Sequence, residues 1–355
     1  MINDDLQKQE GGDNSSNLQA RSIVINQGIS YSDAKEIALD VYRANFLQLS
    51  SEASSIAVAR AEQLTDQFLK KLQAEKPEGV ASMRDPGMQI ALFSAQKEYA
   101  KSGDKDMEGL LVDILVNRAS QTDRNIRQIV LDEALVVAPK LTIEQLVAVT
   151  LNFTLSKLQF PSIRSLHEFN IFVLDCSILP FADFPAEINS CVDHLVYAGC
   201  ASKLDLYNTL TPPEEHFRMN YPAFFSKGFT RDAYDSAFKG EPPCPGFIMP
   251  ALHNRQLFQF QFMNDGLLRR NCAANNLSTE ITDALSSLFS SSAMSGEETK
   301  AYLIRQRPKF AKVMDIWKET GVSKFNLTTV GIAISHANLR RKSPSIKLDL
   351  SIWVN

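Results

Sequence analysis

The stretch from Ile29 to Lys76 contains neither glycine nor proline. Nothing in it breaks a helix, and its apolar residues recur every three or four positions, as on one face of a helix. They form two stripes, Ala34, Ile37, Ala38 and Val41, followed by Ala53, Ile56, Ala57, Ala61, Leu64, Phe68 and Leu72. Because Ser50 and Ser51 suit a helix start, we expect two helices with a tight bend between them. The alternative is one helix about 70 Å long, at about 1.5 Å per residue.

Helical signals continue to residue 155. Asp85-Pro86 places a proline in the first turn of a helix, where its missing N–H is not needed. Thr142 and Gln145 have the spacing of a capping box, which satisfies free backbone groups at a helix start. We therefore expect residues 29–155 to form a multi-helix domain.

Residues 156–275 are predicted to form a mixed helical domain. Within it, Leu166–Leu179 is expected to be a mostly buried helix. Thr211–Pro250 is rich in proline, glycine and aromatic residues, which is typical of an ordered irregular connection, since aromatic side chains favour burial. Leu257–Phe262 alternates apolar and polar residues, as a strand does.

Residues 276–355 are predicted to form a small α+β module that resembles a winged helix. We expect a strand at Lys324–Leu327, a helix capped by Thr328 at Thr329–Leu339, and a final strand at Ile346–Trp353. The predicted fold class is therefore mainly α, with an N-terminal polar β-strand, the multi-helix domain and this C-terminal module.

The N-terminal strand is predicted at residues 17–25, within the polar segment 1–28. No second strand lies nearby in the sequence, and an isolated strand must pair somewhere. Asn and Gln side chains form ladders when identical strands stack, so we expect this strand to join copies of the chain into a homo-oligomer. The alternative is an edge strand packed on its own domain. The residues expected to carry the association are Asn14, Asn17, Gln19, Ile23 and Ile25.

Composition limits the classes of partner. The formal net charge is -4, which argues against a general coating of nucleic acid, although it allows a local basic patch. The five cysteines include no C-x-x-C pair, which indicates reduced structural thiols rather than a zinc site. The acidic start Met1–Asp5 differs from a secretory signal, and no run approaches the about 18 apolar residues that span a bilayer. We expect a cytoplasmic protein without a membrane partner.

Two histidines of the second half could form a site together with carboxylates. His216 follows Glu215, and with His253 and Asp232 these residues offer the imidazole and carboxylate groups used in metal sites and acid–base chemistry. Their spacing matches no metal motif, and H-E-x-x-H, G-x-S-x-G and Walker patterns are absent from the sequence. We favour a polar surface turn with a hydrogen-bonded histidine, and keep a hydrolase or nuclease as an alternative. No catalytic residue, metal or cofactor is expected.

A basic run, Arg340-Arg341-Lys342, ends the predicted C-terminal helix. Clustered positive charge contacts nucleic-acid phosphates, so these three residues are the candidate nucleic-acid contacts, with Arg269-Arg270 as a further candidate pair. Positive charge is also favourable at a helix C-terminus, and we prefer this second interpretation.

Three segments resemble a family of uncharacterised bacterial proteins. They are the opening Gly12-Asp13-Asn14-Ser15-Ser16-Asn17-Leu18-Gln19-Ala20, the helix from Ala34 to Val41 with its continuation to Asn45-Phe46, and Leu327-Thr328-Thr329-Val330-Gly331. The resemblance covers the whole chain and implies no catalytic residue, because the family has no assigned activity. The opening is similar to segments found ahead of bacterial defence proteins, which implies an anti-phage or conflict setting.

Together these observations give one leading hypothesis. We expect a non-enzymatic, homo-oligomeric bacterial protein that acts as a sensor or scaffold. Its expected partners are further copies of itself and a phage or neighbouring-gene protein. A nucleic-acid-binding regulator that uses the C-terminal module is the alternative.

Overall fold

The computed structural model describes residues 30–45, 50–121, 123–183, 191–205 and 208–355. In these residues the chain is mainly helical, as predicted. The α-helices are α1 (Tyr31–Asn45), α2 (Ser51–Glu75), α3 (Pro86–Ser102), α4 (Lys105–Ala119), α5 (Ile126–Val137), α6 (Ile143–Ser156), α7 (Leu166–Glu168), α8 (Cys191–Tyr197), α9 (Pro213–Asn220), α10 (Arg231–Ser236), α11 (Asp265–Ala274), α12 (Thr279–Ser291), α13 (Gly296–Gln306), α14 (Phe310–Glu319) and α15 (Thr329–Lys342). The strands are β1 (Ala201–Lys203), β2 (Ile248–Pro250), β3 (Phe258–Phe260) and β4 (Phe325–Leu327). Helical turns of 3₁₀ geometry lie at Pro77–Arg84, Ala138–Lys140, Leu179–Phe181, Pro222–Phe225, Val322–Lys324 and Leu350–Ile352, and a π-helix lies at Phe169–Ile178.

Helix starts follow local signals in the sequence. The Asp85 carboxylate accepts a backbone hydrogen bond of 3.0 Å at the start of α3. Thr142 and Gln145 form the predicted capping box of α6. The Thr328 hydroxyl caps α15 by accepting a hydrogen bond of 3.1 Å from a backbone N–H. These predictions are confirmed because each cap depends only on residues adjacent in the sequence.

Two helices form in the stretch without glycine or proline. α1 ends at Asn45 and α2 begins at Ser51, so the prediction of two helices is confirmed and the single long helix is wrong. α2 lies against α1, α3 and α4. Its buried face includes Leu64, Phe68 and Leu72, which recur at helical spacing.

The last helix, α15, is central to the main hydrophobic core. Its side chains from Val330 to Leu339 are all buried, because it packs against α4, α5 and α6. Strand β4, just before it, pairs antiparallel with β1. The main core takes residues from each of the predicted regions 29–155, 156–275 and 276–355, so it does not divide at those boundaries.

The winged-helix-like arrangement predicted for residues 276–355 is not confirmed. The strand partner of β4 is β1, which precedes this region by more than seventy residues of chain, and not a neighbouring strand within it. Helix α15 is also surrounded by helices of the first half of the chain.

The final strand predicted at Ile346–Trp353 is wrong. This segment contains only the 3₁₀ turn Leu350–Ile352. Alternate residues such as Ile346 and Leu350 are buried, which explains the strand-like pattern. The backbone of this segment pairs with a side chain instead of a strand, because the His336 ring in α15 lies 2.7 Å from the Leu348 carbonyl oxygen.

The helix predicted at Leu166–Leu179 forms, but most of it has π geometry. α7 contributes the first turn, and residues 169–178 continue with the wider π turn. The buried residues of this segment are Phe169, Val173, Leu174, Ser177 and Ile178. Their spacings of four and five positions suit an α-helix as well as the wider π turn, so the apolar pattern predicts a buried helix without specifying its geometry.

A smaller aromatic core lies beside the main one. α10, α11, α12 and the antiparallel pair β2–β3 build it. Its buried aromatic residues are Phe229, Tyr234, Phe238, Phe247 and Phe260. The predicted strand at Leu257–Phe262 is confirmed at its centre, and the aromatic residues of the irregular connection are buried as expected. Across the ranges that the structure describes, no helix is both long and apolar enough to cross a membrane.

Candidate functional site

Two adjoining cavities lie between α2, α4, α15 and the segment that follows α15. Their volumes are about 540 Å³ and 520 Å³, and Glu75, Arg340 and Pro344 line both. We call the two cavities together the basic groove. Its charged lining residues are the cationic Lys70, Lys71, Lys76, Arg340, Arg341 and Lys347 and the anionic Glu75, Asp113 and Asp349. The groove therefore has an excess of positive charge in a chain whose net charge is negative.

Lys76 is a half-buried cation of this groove. It lies directly after α2, and its ammonium donates hydrogen bonds to Ser120 (2.9 Å) and Asn117 (3.3 Å). Both acceptors are neutral, and in the described part of the chain the ammonium forms no ion pair with a carboxylate. Burial lowers the pKa of Lys76, and the nearby Arg340 lowers it further, while the carboxylates of Asp349, Glu75 and Glu78 oppose this shift.

The basic run predicted as a nucleic-acid contact lies at this groove, and each of its charges is close to a carboxylate. Arg340 forms an ion pair of 2.6 Å with Glu75 of α2. Arg341 pairs with Asp106 of α4, and Lys342 lies 3.5 Å from the same carboxylate. These pairs tie the end of α15 to α2 and α4, so the run has a structural role whether or not it also meets a ligand.

His336 joins α15 to the segment behind the groove. Its side chain is 2% exposed, and its Nε2 lies 2.7 Å from the Leu348 carbonyl oxygen, which fixes Nε2 as the donor. Among the described residues, Nδ1 has no hydrogen-bond partner. Burial lowers the pKa of His336 to about 4, and Arg340 also disfavours the protonated ring. The imidazole is therefore neutral at neutral pH.

The neutral state of His336 predicts a loss of stability in mild acid. The unfolded chain binds a proton near pH 6.5, well above the folded pKa, so the free energy of unfolding falls as the pH drops through this window. We expect a loss of about 2 kcal/mol between about pH 7 and pH 5. His336→Gln keeps a donor toward Leu348 and should lose this part of the pH dependence. Urea denaturation at both pH values tests it, and equal pH slopes for the two proteins would contradict it.

The two histidines considered as catalytic candidates have structural partners. His216 is buried in α9, where its Nε2 lies 3.1 Å from the Asn220 amide nitrogen, and burial lowers its pKa. His253 lies 2.7 Å from the Phe224 carbonyl oxygen and packs its ring against Tyr302. Burial lowers the pKa of His253 as well. The hydrogen-bonded histidine of the favoured interpretation fits this geometry, but the polar surface turn is wrong for His216, because its segment is the helix α9 and the side chain is buried.

The carboxylates considered with these histidines point to no metal site. Glu215 pairs with Arg218 of the same helix at 2.9 Å, and Asp232 lies exposed on α10. In the described ranges no group of three or more His, Cys, Asp or Glu side chains is placed to hold a metal ion. The further basic candidate, Arg269, bonds Asp265 and Asp283 at 2.9 Å each, while Arg270 is exposed.

A second surface feature is an apolar stripe on α5. Ile126, Ile129 and Val136 are 46%, 36% and 48% exposed and lie on one face of the helix, while the opposite face is buried in the core. This stripe borders an open groove of about 780 Å³ between α5, Gly199 and Val330. We call it the α5 groove. The exposed Glu133 lies between Ile129 and Val136 along this face, so charge borders the apolar side chains. Exposed apolar surface with a polar rim is typical of protein–protein contact sites.

Sequence reasoning located some of these residues and missed others. It singled out Arg340, Arg341 and Lys342, but not Lys76, because only the fold brings Lys76 to Asn117 and Ser120. The residues predicted to mediate oligomerisation, Asn14, Asn17, Gln19, Ile23 and Ile25, lie outside the described residues.

Comparison with known proteins gives a family and no activity. No curated protein and no solved structure matches this chain. A family model matches almost the whole length, beginning after the segment Gly12–Ala20 on which the defence resemblance depends. The chain therefore belongs to a family of uncharacterised proteins, whose model matches residues 28–354.

Proposed function

We propose that this protein is a non-enzymatic, homo-oligomeric sensor or scaffold that acts by binding protein chains. The observation that carries the proposal is the apolar stripe of α5. Exposing Ile126, Ile129 and Val136 to water is unfavourable, and covering them with another chain removes that apolar surface from water.

The occupant that fits the α5 groove best is a second copy of the chain. A surface that meets its own copy across a two-fold axis must be complementary to itself. The groove meets this condition, because the exposed Arg124 and the exposed Glu133 line it beside the apolar stripe. Charges of both signs at one rim allow each copy to pair with the other.

The N-terminal polar strand is the second proposed assembly element. Its Asn and Gln residues suit stacking of identical strands, and its only support is the sequence pattern of residues 17–25. The proposed setting, a bacterial anti-phage or conflict system in the cytoplasm with a phage or neighbouring-gene protein as partner, is supported by the resemblance of Gly12–Ala20.

Light scattering of the full chain tests the proposal. We expect a mass of at least two 39.6 kDa chains, and a shift toward one chain in the double variant Ile129→Glu, Val136→Glu. Ile56→Glu, an equally apolar and exposed position on α2, is the matched control and should keep the wild-type mass. A monomeric wild type, or a control that dissociates as much as the double variant, would refute the α5 interface.

Removal of residues 1–28 tests whether the N-terminal strand contributes to oligomerisation independently of the α5 groove. If the strand joins copies, the truncated chain should have a lower mass than the full chain at the same concentration. An unchanged mass would remove the strand from the proposal and leave the α5 groove as the interface.

Nucleic-acid binding is the second candidate function, and the excess of cations in the basic groove favours it. A labelled oligonucleotide should then bind with strong salt dependence, and Arg340→Gln with Arg341→Gln should abolish binding. Because both arginines are paired with carboxylates, a circular-dichroism check of folding accompanies this double variant.

A further inference from the structure

We propose that the basic groove binds a small molecule with linked phosphate groups, and that Lys76, Arg340 and Lys347 contact those phosphates. This site is separate from the α5 groove, and the inference does not depend on the proposed assembly. Phosphate groups are recognised by Lys and Arg through charge-assisted hydrogen bonds, which are stronger than neutral ones.

The first support is the lack of a direct carboxylate partner for Lys76 among the described residues. Removing an ammonium from water is costly unless an anion compensates it, and here the two bonded partners are the neutral Asn117 and Ser120, while nearby carboxylates such as Asp349 act on it only from beyond ion-pair distance. Lys71, by contrast, has the carboxylate of Asp113 at 2.8 Å. An anionic ligand in the groove would supply to Lys76 the partner that Asp113 supplies to Lys71.

The second support is the orientation of Arg340. Its Nη2 bonds the Glu75 carboxylate at 2.6 Å, which holds the guanidinium in place at the junction of the two cavities. Within the part of the chain that the structure describes, its Nη1 has only a long contact of 3.5 Å to the Asn117 oxygen. The N–H donors on that side of the Arg340 guanidinium are therefore available to a ligand oxygen. Lys347, which is exposed, lines the same cavity.

The third support is the shape and lining of the groove, which favour a small molecule over a nucleic-acid strand. A volume of about 540 Å³ lies within the usual range of small-molecule sites. The residues that line the two cavities include no aromatic side chain, so the stacking platform that single strands use is not built here.

Calorimetry with inorganic triphosphate tests the proposal, using the full chain at low salt. We expect binding of one triphosphate per chain, weakened about tenfold by Lys76→Met, as for loss of one charge-assisted bond, and severalfold by Lys347→Gln. Lys318→Gln on α14 removes the same charge from an exposed position outside the groove and should bind as wild type does. Absence of triphosphate binding, or equal weakening by Lys318→Gln, overturns the proposal.

Two further arms make the result specific. If adenosine triphosphate binds with the same affinity as inorganic triphosphate, the groove is a polyphosphate site. If adenosine triphosphate binds more tightly than inorganic triphosphate, the groove is a nucleotide site. Both results support the proposal. A labelled single-stranded oligonucleotide that binds where triphosphate does not overturns it in favour of nucleic acid. If Lys76→Met does not fold, the ammonium resonance of Lys76 in the wild type replaces it, because a bound phosphate should raise the pKa of Lys76 and leave that of Lys318 unchanged.

Discussion

Replacing Phe169 with alanine should lower the free energy of unfolding by about 3–5 kcal/mol, as expected for loss of a buried aromatic side chain and creation of a cavity. The ring is fully buried at the start of the π-helix. It lies 5.2–6.0 Å, between ring centroids, from four other aromatic rings, those of Phe217, Tyr221, Phe224 and Phe225. The side chain therefore joins the π-helix to α9 and to the turn that follows it. Chemical denaturation followed by circular dichroism measures the change.

Phe172→Ala provides the matched control, since this residue lies on the same π-helix and is 37% exposed. Its ring has a looser aromatic contact, 6.4 Å from Phe160. We expect its replacement to cost about 1 kcal/mol, because less apolar surface is lost and solvent fills the space. Similar losses for the two variants would show that the aromatic cluster around Phe169 does not stabilise the fold as described.

Gly331→Ala is expected to destabilise the protein by about 3 kcal/mol through overpacking. A methyl group at this position would overlap the carbonyl oxygen of Cys200 and lie 3.0 Å from its carbonyl carbon. That carbonyl cannot easily move, because it accepts a hydrogen bond of 3.0 Å from the Thr328 N–H, next to the β1–β4 pair. The close approach of α15 to this strand thus requires glycine.

Gly109→Ala is the control for this prediction. Gly109 also lies inside a helix, α4, but a methyl group there would meet only the Arg341 side chain, at 3.0 Å from its Cδ. A flexible side chain can move aside, and alanine favours helix formation over glycine by about 1 kcal/mol. We expect this variant to be as stable as the wild type or more stable. A thermal-melting comparison in which Gly331→Ala loses no more than Gly109→Ala would contradict the packing argument.

The sequence predicts those parts of the fold that depend on neighbouring residues. Caps such as Asp85, Thr142 and Thr328 bond the backbone nitrogen three positions away, so their chemistry can be recognised without knowing the fold. The π-helix could not be predicted this way, since its buried residues have spacings that suit an α-helix as well. The alternation at Ile346–Trp353 was equally ambiguous, because a segment buried against α15 alternates as a strand does.

The residues of the basic groove could also be predicted only in part from the sequence. Arg340 and Arg341 are recognisable as a basic run, but their pairing with Glu75 and Asp106 joins residues more than two hundred positions apart. Lys76 is one of many lysines in the sequence. Its unusual environment depends on α4, which brings Asn117 and Ser120 to it.

The central position of α15 also has a consequence for synthesis on the ribosome. α4, α5 and α6 emerge well before the helix that covers their apolar faces. Until α15 is translated, these helices expose surface that favours aggregation or capture by chaperones. Ribosome-bound chains that lack α15 should therefore stay protease-sensitive, and protection should appear only once that helix has left the exit tunnel.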